Sequence, residues 1–241
     1  MKIILDTNIW YDYDDNNVFQ NEALKNKIAV TYLNYFELIK KRTIVSQPDF
    51  FRKILFGMDN YDKIFEPPFV YIAQGQKYYN YNVLLELEDQ INFILNFKKG
   101  GYIDSEKEQA FYEYISKINN DFQDFVDGFN REAMIIKPRI KNLVKHRIID
   151  SLEETGRFLK FLVVSATGQE IDNFDISKVE LLTQTLNTFF KKMEVGELIM
   201  KANDVTDFLI LSYVQPGDKY YTKDKKWRNL IIESGMQHYL L

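Results

Sequence analysis

The chain of 241 residues contains no cysteine. That absence excludes disulfides, thiol catalysis and zinc sites of the cysteine type. Histidine is nearly missing as well, with only His146 and His238 present. Two are too few for a His-rich metal site and give poor support to a His-paired nucleophile. No stretch approaches the ~20 apolar residues of a membrane span. The apolar opening Ile3-Ile4-Leu5 is cut by Asp6 and Asn8, far short of a secretory h-region. The expectation is a soluble, cytoplasmic chain with no membrane partner. Excess positive charge is also lacking: 31 Lys and Arg against 35 Asp and Glu give a net charge of −4. That balance argues against strong non-specific affinity for nucleic acid. It does not exclude a nuclease, because acids gathered at a metal site offset bases elsewhere.

What is present suffices for a sizeable core, with 46% hydrophobic and 15% aromatic residues. The order of patterns predicts the architecture. Lys2 to Leu5 reads as a buried strand, residues 16–27 as a short helix, and Ile28 to Leu33 as a second strand. Asn34 is the expected N-cap of a helix carrying Phe36, Leu38 and Ile39. Gln47-Pro48-Asp49 opens another helix, with proline at its first turn. Strand and helix alternate to this point, which indicates an α/β fold with a parallel sheet. After Glu66-Pro67-Pro68 the pattern turns helical, over Val83–Phe97, Glu106–Phe129, Arg139–Val164 and Ser177–Met200. Gly100-Gly101 and Gly168 punctuate that run. Alternation then returns: a helix over Asp204–Val214, a strand over Lys219–Thr222, a helix over Lys225–Ser234 and a closing strand over Gln237–Leu241. The simplest division is a core from residues 1–69 and 196–241, carrying an all-helical insertion over 70–195.

Four acids stand in matching settings. Asp6 ends the run Lys2-Ile3-Ile4-Leu5, Glu37 lies in Tyr35-Phe36-Glu37-Leu38, Asp207 precedes Phe208-Leu209-Ile210, and Asp224 closes Tyr221-Thr222-Lys223-Asp224. Strand ends of a parallel α/β sheet meet in a crevice at its carboxyl edge, where ligands bind. Asp6 and Asp224 would leave two such ends. Glu37 and Asp207 would enter from first helical turns, whose dipoles help keep carboxylates ionised. Carboxylates gathered this way repel one another unless a hard cation neutralises them, which points to Mg²⁺ or Mn²⁺. Such a cation activates water and stabilises charge on a phosphodiester oxygen, so no side-chain nucleophile is needed. Asp204 shares a helix face with Asp207 at i and i+3, and fits either a helix cap or a further metal ligand. Each acid also has a plain structural reading: a turn residue at Asp6, a solvated helix position at Glu37, a helix start at Asp207 and Asp224. Thr7, Asn8 and Thr222 are candidates to orient the carboxylates, or to make local turn bonds at the strand ends.

These motifs, in this order, resemble the PIN-domain nucleases. That family has a first strand ending in aspartate, often before Thr-Asn, as in Asp6-Thr7-Asn8. It then has an acid early in the helix after the next strand (Glu37-Leu38), an aspartate before an apolar helix (Asp207), and a Thr-x-Asp after a late strand (Thr222-Lys223-Asp224). Asn34 stands where the family often has serine, and the likeness covers only the two ends of the chain. The resemblance implies a PIN-like three-layer α/β fold and a metal-dependent endoribonuclease, with Asp6, Glu37, Asp207 and Asp224 as the catalytic acids. It also implies RNA as the usual substrate, in a toxin, defence or RNA-processing role. An antitoxin or other protein partner and a homo-oligomer stay open, and the 70–195 segment departs from compact toxin forms.

Lys223, Lys225, Lys226 and Arg228 adjoin Asp224 and are the candidates to hold phosphates. Lys40-Lys41-Arg42 and the basic stretch Lys137-Pro138-Arg139-Ile140-Lys141 with Lys145-His146-Arg147 read as further phosphate contacts or as solvated helix faces. Tyr78-Tyr79-Asn80-Tyr81 is a polar-aromatic cluster suited to stacking or to a protein partner. The competing reading of the chain is a catalytically inactive PIN-like scaffold acting through its helical insertion. A different phosphotransfer enzyme ranks lower, because the opening lacks the Asp-x-Asp of haloacid-dehalogenase-like phosphatases.

Overall fold

A computed structural model describes residues 1–39, 46–77 and 150–241, together with isolated positions between 96 and 146. The described residues form a four-stranded sheet built from β1 (Ile3–Leu5), β2 (Ile28–Thr31), β3 (Asp62–Ile64) and β4 (Lys219–Tyr221). Its order is β3-β2-β1-β4, and every pairing is parallel. The chain is therefore an α/β protein, with helices on both faces of the sheet.

The period-2 geometry of the strands decides which residues enter which layer. Ile4, Ala29, Ile64 and Tyr220 point to one face and join one buried cluster. Ile3, Leu5, Ile28 and Val30 point to the other and join a second. With both faces covered, the central strands read as continuous apolar runs rather than as alternations. This makes β1 and β2 visible in the sequence. The sequence pattern does not show β3, because its residues Asp62 and Lys63 are exposed. It is an edge strand, and charged side chains protect such edges from further pairing.

The second face is covered by α1 (Thr7–Tyr11), α2 (Asn17–Gln20), α4 (Tyr32–Ile39, through Tyr35 and Leu38) and α5 (Pro48–Met58). Short α3 (Glu22–Lys25) follows α2. The first face is covered by α6 (Pro68–Gly75), α7 (Ser151–Thr167), α8 (Glu180–Glu194), α9 (Ala202–Ile210) and α10 (Lys225–Glu233). In α7, Asp150 accepts from the Leu152 amide at 2.8 Å as N-cap. Gly168 closes it in the left-handed region at φ 66°, where a side chain would be strained. Leu159 and Val163 of α7, with Leu181, Leu182, Leu186 and Phe189 of α8, share the cluster that holds Ile4 and Ala29. The described helices of segment 70–195 thus belong to the layer that covers the sheet. Burying each such side chain contributes roughly 1.5–3 kcal/mol. Among the described residues no helix is long and apolar enough to cross a membrane.

Several local expectations are corrected. The helix expected over 16–27 is two, because Asn16 and Asn21 each cap a new start by accepting from the amides of Val18 and Ala23. The helix after β2 begins at Tyr32, so Asn34 is not its N-cap. Instead Asn34 Oδ1 accepts from the Thr31 amide at 2.9 Å, while the Asn34 amide donates to Thr31 Oγ1 at 3.4 Å. That is a capping box with Thr31 at the cap and asparagine three residues on. The helix expected over Asp204–Val214 gives way to a 3₁₀ turn at Leu211–Tyr213. The closing strand is a 3₁₀ turn, Gln237–Tyr239, followed by a single bridge from Leu240 to Tyr220. The helices expected over Val83–Phe97 and most of Glu106–Phe129 lie outside the described residues. So do Gly100-Gly101, Tyr78–Tyr81, Lys40–Arg42 and most of the basic stretch at 137–147.

Candidate functional site

The carboxyl edge of the sheet gathers the acids. Asp6 follows β1, and its amide donates to Tyr221 O at 2.9 Å, which ties β1 to the end of β4. One residue further, Thr222 is buried and donates its hydroxyl to Asp6 Oδ2 at 2.6 Å. The same hydroxyl oxygen accepts from the Asp224 amide at 2.9 Å. Asp6 also caps α1, accepting weakly from the Asn8 amide at 3.4 Å. Asp224 caps α10 through Oδ1, which accepts from the amides of Lys226 at 2.7 Å and Trp227 at 3.1 Å. Asp207, near the middle of α9, accepts at Oδ2 from the indole Nε1–H of Trp227 at 2.9 Å. Glu37 sits half-buried in the second half of α4, three residues past Asn34, so the expected entry from a first helical turn holds for neither it nor Asp207.

Asn34 joins the two halves of this edge. Its Nδ2 donates to Leu5 O at 3.0 Å and to Thr7 Oγ1 at 3.1 Å, so the start of Glu37's helix is fastened to the strand that delivers Asp6. Asn34→Ala leaves the Thr31 amide without its buried acceptor. It should cost roughly 2–4 kcal/mol in urea unfolding, since each stranded buried group costs about 1–3 kcal/mol. A loss below ~1 kcal/mol would show that these bonds do not hold the edge together.

The electrostatics link four of the acids. Burial raises the Asp6 carboxyl above its usual range and the charge of Asp224 adds to this, against the opposing bonds from Thr222 and the Asn8 and Thr7 amides. Asp207 is pushed up to about 8, first by burial and then by Asp6, Glu37 and Asp224, while the Trp227 bond pulls the other way. The Tyr11 hydroxyl is pushed up to about 12 by burial and by the charges of Glu37 and Asp6. Tyr220, buried at the middle of β4, is raised by burial and by Asp6, Asp207 and Glu37. Asp6, Glu37, Asp207 and Asp224 therefore form one negative field.

Asp204 stands apart from it. One of its oxygens accepts from the Lys201 amide at 2.8 Å in a capping box, and the other pairs with the Lys226 ammonium. The helix starts at Ala202 with Lys201 at the cap, so Asp204 is not the cap expected of it but the third residue that closes the box, and both of its oxygens are engaged.

The oxygen-only, highly anionic donor set fits a hard divalent cation. The second oxygens of Asp207 and Asp224 accept no hydrogen bond among the described residues. As the side chains stand, no group of three or more Asp, Glu, His or Cys among the described residues is arranged to hold a metal ion. Mutual repulsion and the bonds to Thr222, Trp227 and the α10 amides oppose closer approach of the carboxylates.

The flanking cations divide into two pairs. Lys223 is tied to Asp12 at 2.6 Å. Lys226 pairs with Asp204 and lies 5.0 Å from the Phe189 ring centroid and 5.6 Å from that of Trp227. Lys225 and Arg228 are exposed and make no ion pair among the described residues. Thr7 accepts from Asn34, and Asn8 contributes its backbone amide while its side chain is exposed.

Three residues of the site have roles that the sequence does not show. Tyr11 follows Thr7 by four residues, the spacing of one helix face, and its buried hydroxyl has no hydrogen-bond partner among the described residues. Trp227 lies three residues past Asp224, in the first turn of the helix that Asp224 caps. Asn34 reads as a cap in sequence and acts as a cross-link in the fold. Comparison with family models, with curated proteins and with solved structures gave no match.

Proposed function

We propose that this chain is a PIN-like, Mg²⁺- or Mn²⁺-dependent endoribonuclease that hydrolyses RNA phosphodiester bonds. The observation that carries the reading is geometric: at the carboxyl edge of the sheet, Thr222 joins Asp6 to the Asp224 amide and Trp227 joins Asp207 to Asp224. Burial and three other acids push the Asp207 carboxyl there up to about 8, a crowding of negative charge that a cation relieves. Asp6, Glu37, Asp207 and Asp224 would hold the cation, which supplies water activation and charge neutralisation at the phosphoryl oxygens. Thr222 fixes Asp6 by its hydroxyl bond. Burial and the neighbouring charges keep Tyr11 protonated, so its hydroxyl remains a donor at neutral pH. Lys225 and Arg228 attract the phosphate backbone at the exposed rim. RNA as the substrate follows from the motif resemblance, as does any part in toxin, defence or RNA processing.

The reading is tested on a single-stranded RNA oligonucleotide. Cleavage should require Mn²⁺ or Mg²⁺ and should stop in EDTA. Cleavage that persists in EDTA would defeat it. The absence of a preformed cage among the described residues favours one rival, a PIN-like binding module without turnover. That rival expects RNA or protein binding that is indifferent to divalent cations.

A further inference from the structure

Trp227 touches two of the four acids through two different donors. Its indole Nε1–H donates to Asp207 Oδ2 at 2.9 Å, and its backbone amide donates to Asp224 Oδ1 at 3.1 Å. Among the described residues no other side chain donates to Asp207, whose second oxygen is left without a partner. The ring itself cannot swing. It is 1% exposed and stacks on Phe189 of α8, with centroids 5.8 Å apart and planes within 4°. Lys226 lies over both rings and is anchored in turn by Asp204. A carboxylate oxygen held by a fixed donor leaves its other oxygen pointed in one direction.

We propose that Trp227 is the positioning residue of the cation site: it sets the rotamer of Asp207 and ties it to Asp224, and Phe189 and the Lys226–Asp204 pair hold the indole in place. This rests on the reading of the four acids as a cation site. It adds a role for α8, a helix outside the motifs that carry the resemblance. It also accounts for Asp204 as part of the brace rather than as a ligand.

The test compares Trp227→Phe with Phe189→Leu. The first keeps a ring and the backbone donor but removes the indole N–H, and the second weakens the stack but leaves that donor. Mn²⁺ affinity by calorimetry should fall about 10–100-fold in Trp227→Phe, as for other residues that orient metal ligands. In Phe189→Leu the loosened ring keeps its donor, so affinity should fall by only about 3-fold while thermal stability drops. Equal affinity in Trp227→Phe and wild type, or equal losses in both variants, would overturn the proposal.

A second measurement needs no variant of Trp227. Trp10 and Trp227 are the only tryptophans, and the Trp10 indole nitrogen is buried without a partner among the described residues. The two indole N–H signals in a ¹H–¹⁵N spectrum therefore include an internal reference. The Trp227 signal should shift on addition of diamagnetic Mg²⁺ and in Asp207→Asn, while that of Trp10 stays. A Trp227 signal unmoved by both would overturn the proposal. A wild type that binds no cation defeats the functional reading as well, whereas a binding wild type matched by Trp227→Phe defeats the positioning role alone.

Discussion

Asp207→Asn should make the cation-free protein more stable at pH 8, although it replaces a half-buried side chain at the centre of the site. The folded-state pKa of Asp207 is raised from 3.8 to about 8. Folding therefore takes up a proton between those values. The stability this group contributes is fully present below about pH 4 and is lost progressively as pH rises to about 8. Each pH unit across that window is worth about 1.4 kcal/mol, and partial solvent screening leaves a total of roughly 3–5 kcal/mol. Asp6, raised in the same direction, adds to the slope. Asparagine keeps an oxygen for the Trp227 indole and carries no charge. The variant should thus unfold in urea, in EDTA, with nearly wild-type stability at pH 4 and clearly higher stability at pH 8. Divalent cation should bring wild type back toward the variant at pH 8. A variant that is equally destabilised at both pH values would mean that Asp207 is an ordinary hydrogen-bonded acid.

The same electrostatic frustration explains what is legible in the sequence. Asp6 stands out because it ends an apolar run, and Asp224 because it closes a Thr-x-Asp directly after a strand. β1 and β2 are visible for a related reason: a strand covered on both faces is an uninterrupted apolar run. β3 is hidden because Asp62 and Lys63 face solvent at the sheet edge, and charge there serves the edge rather than the core. Asn34 has the chemistry of a cap, and only the three-dimensional path of β1 past β2 brings Leu5 O and Thr7 within its reach. Asp204 can be read two ways at helical spacing. Its partner Lys226 comes from a helix 22 residues further on, a contact that no local pattern encodes. Trp227 is concealed in a similar way, since in sequence it looks like a core aromatic in an amphipathic helix. Part of it is that, and its one polar atom meets Asp207 only across the gap between α9 and α10.

The largest single loss is expected at Asp6. It is the most enclosed of the four acids, 5% exposed, and it is fixed by Thr222 from β4's end. It also acts electrostatically on Asp207, Tyr11 and Tyr220. Asp6→Asn keeps an acceptor for the Thr222 hydroxyl and removes one charge from the field. It should lower Mn²⁺-dependent RNA cleavage at least ~100-fold, equivalent to about 2.7 kcal/mol of transition-state stabilisation. The fold itself should survive.

Binding of the cation is a more direct readout than turnover, because it does not depend on the correct RNA being in the tube. Thermal unfolding of wild type and Asp6→Asn should be followed during a Mn²⁺ titration at pH 8. At about 100 times Kd, binding to the folded state contributes about 2.7 kcal/mol, or roughly 5–10 °C for a chain of this size. Wild type should show that rise with saturation, and Asp6→Asn should show little or none over the same range. A wild-type midpoint indifferent to Mn²⁺, or an equal rise in both proteins, would contradict the assignment of these four acids to one cation site.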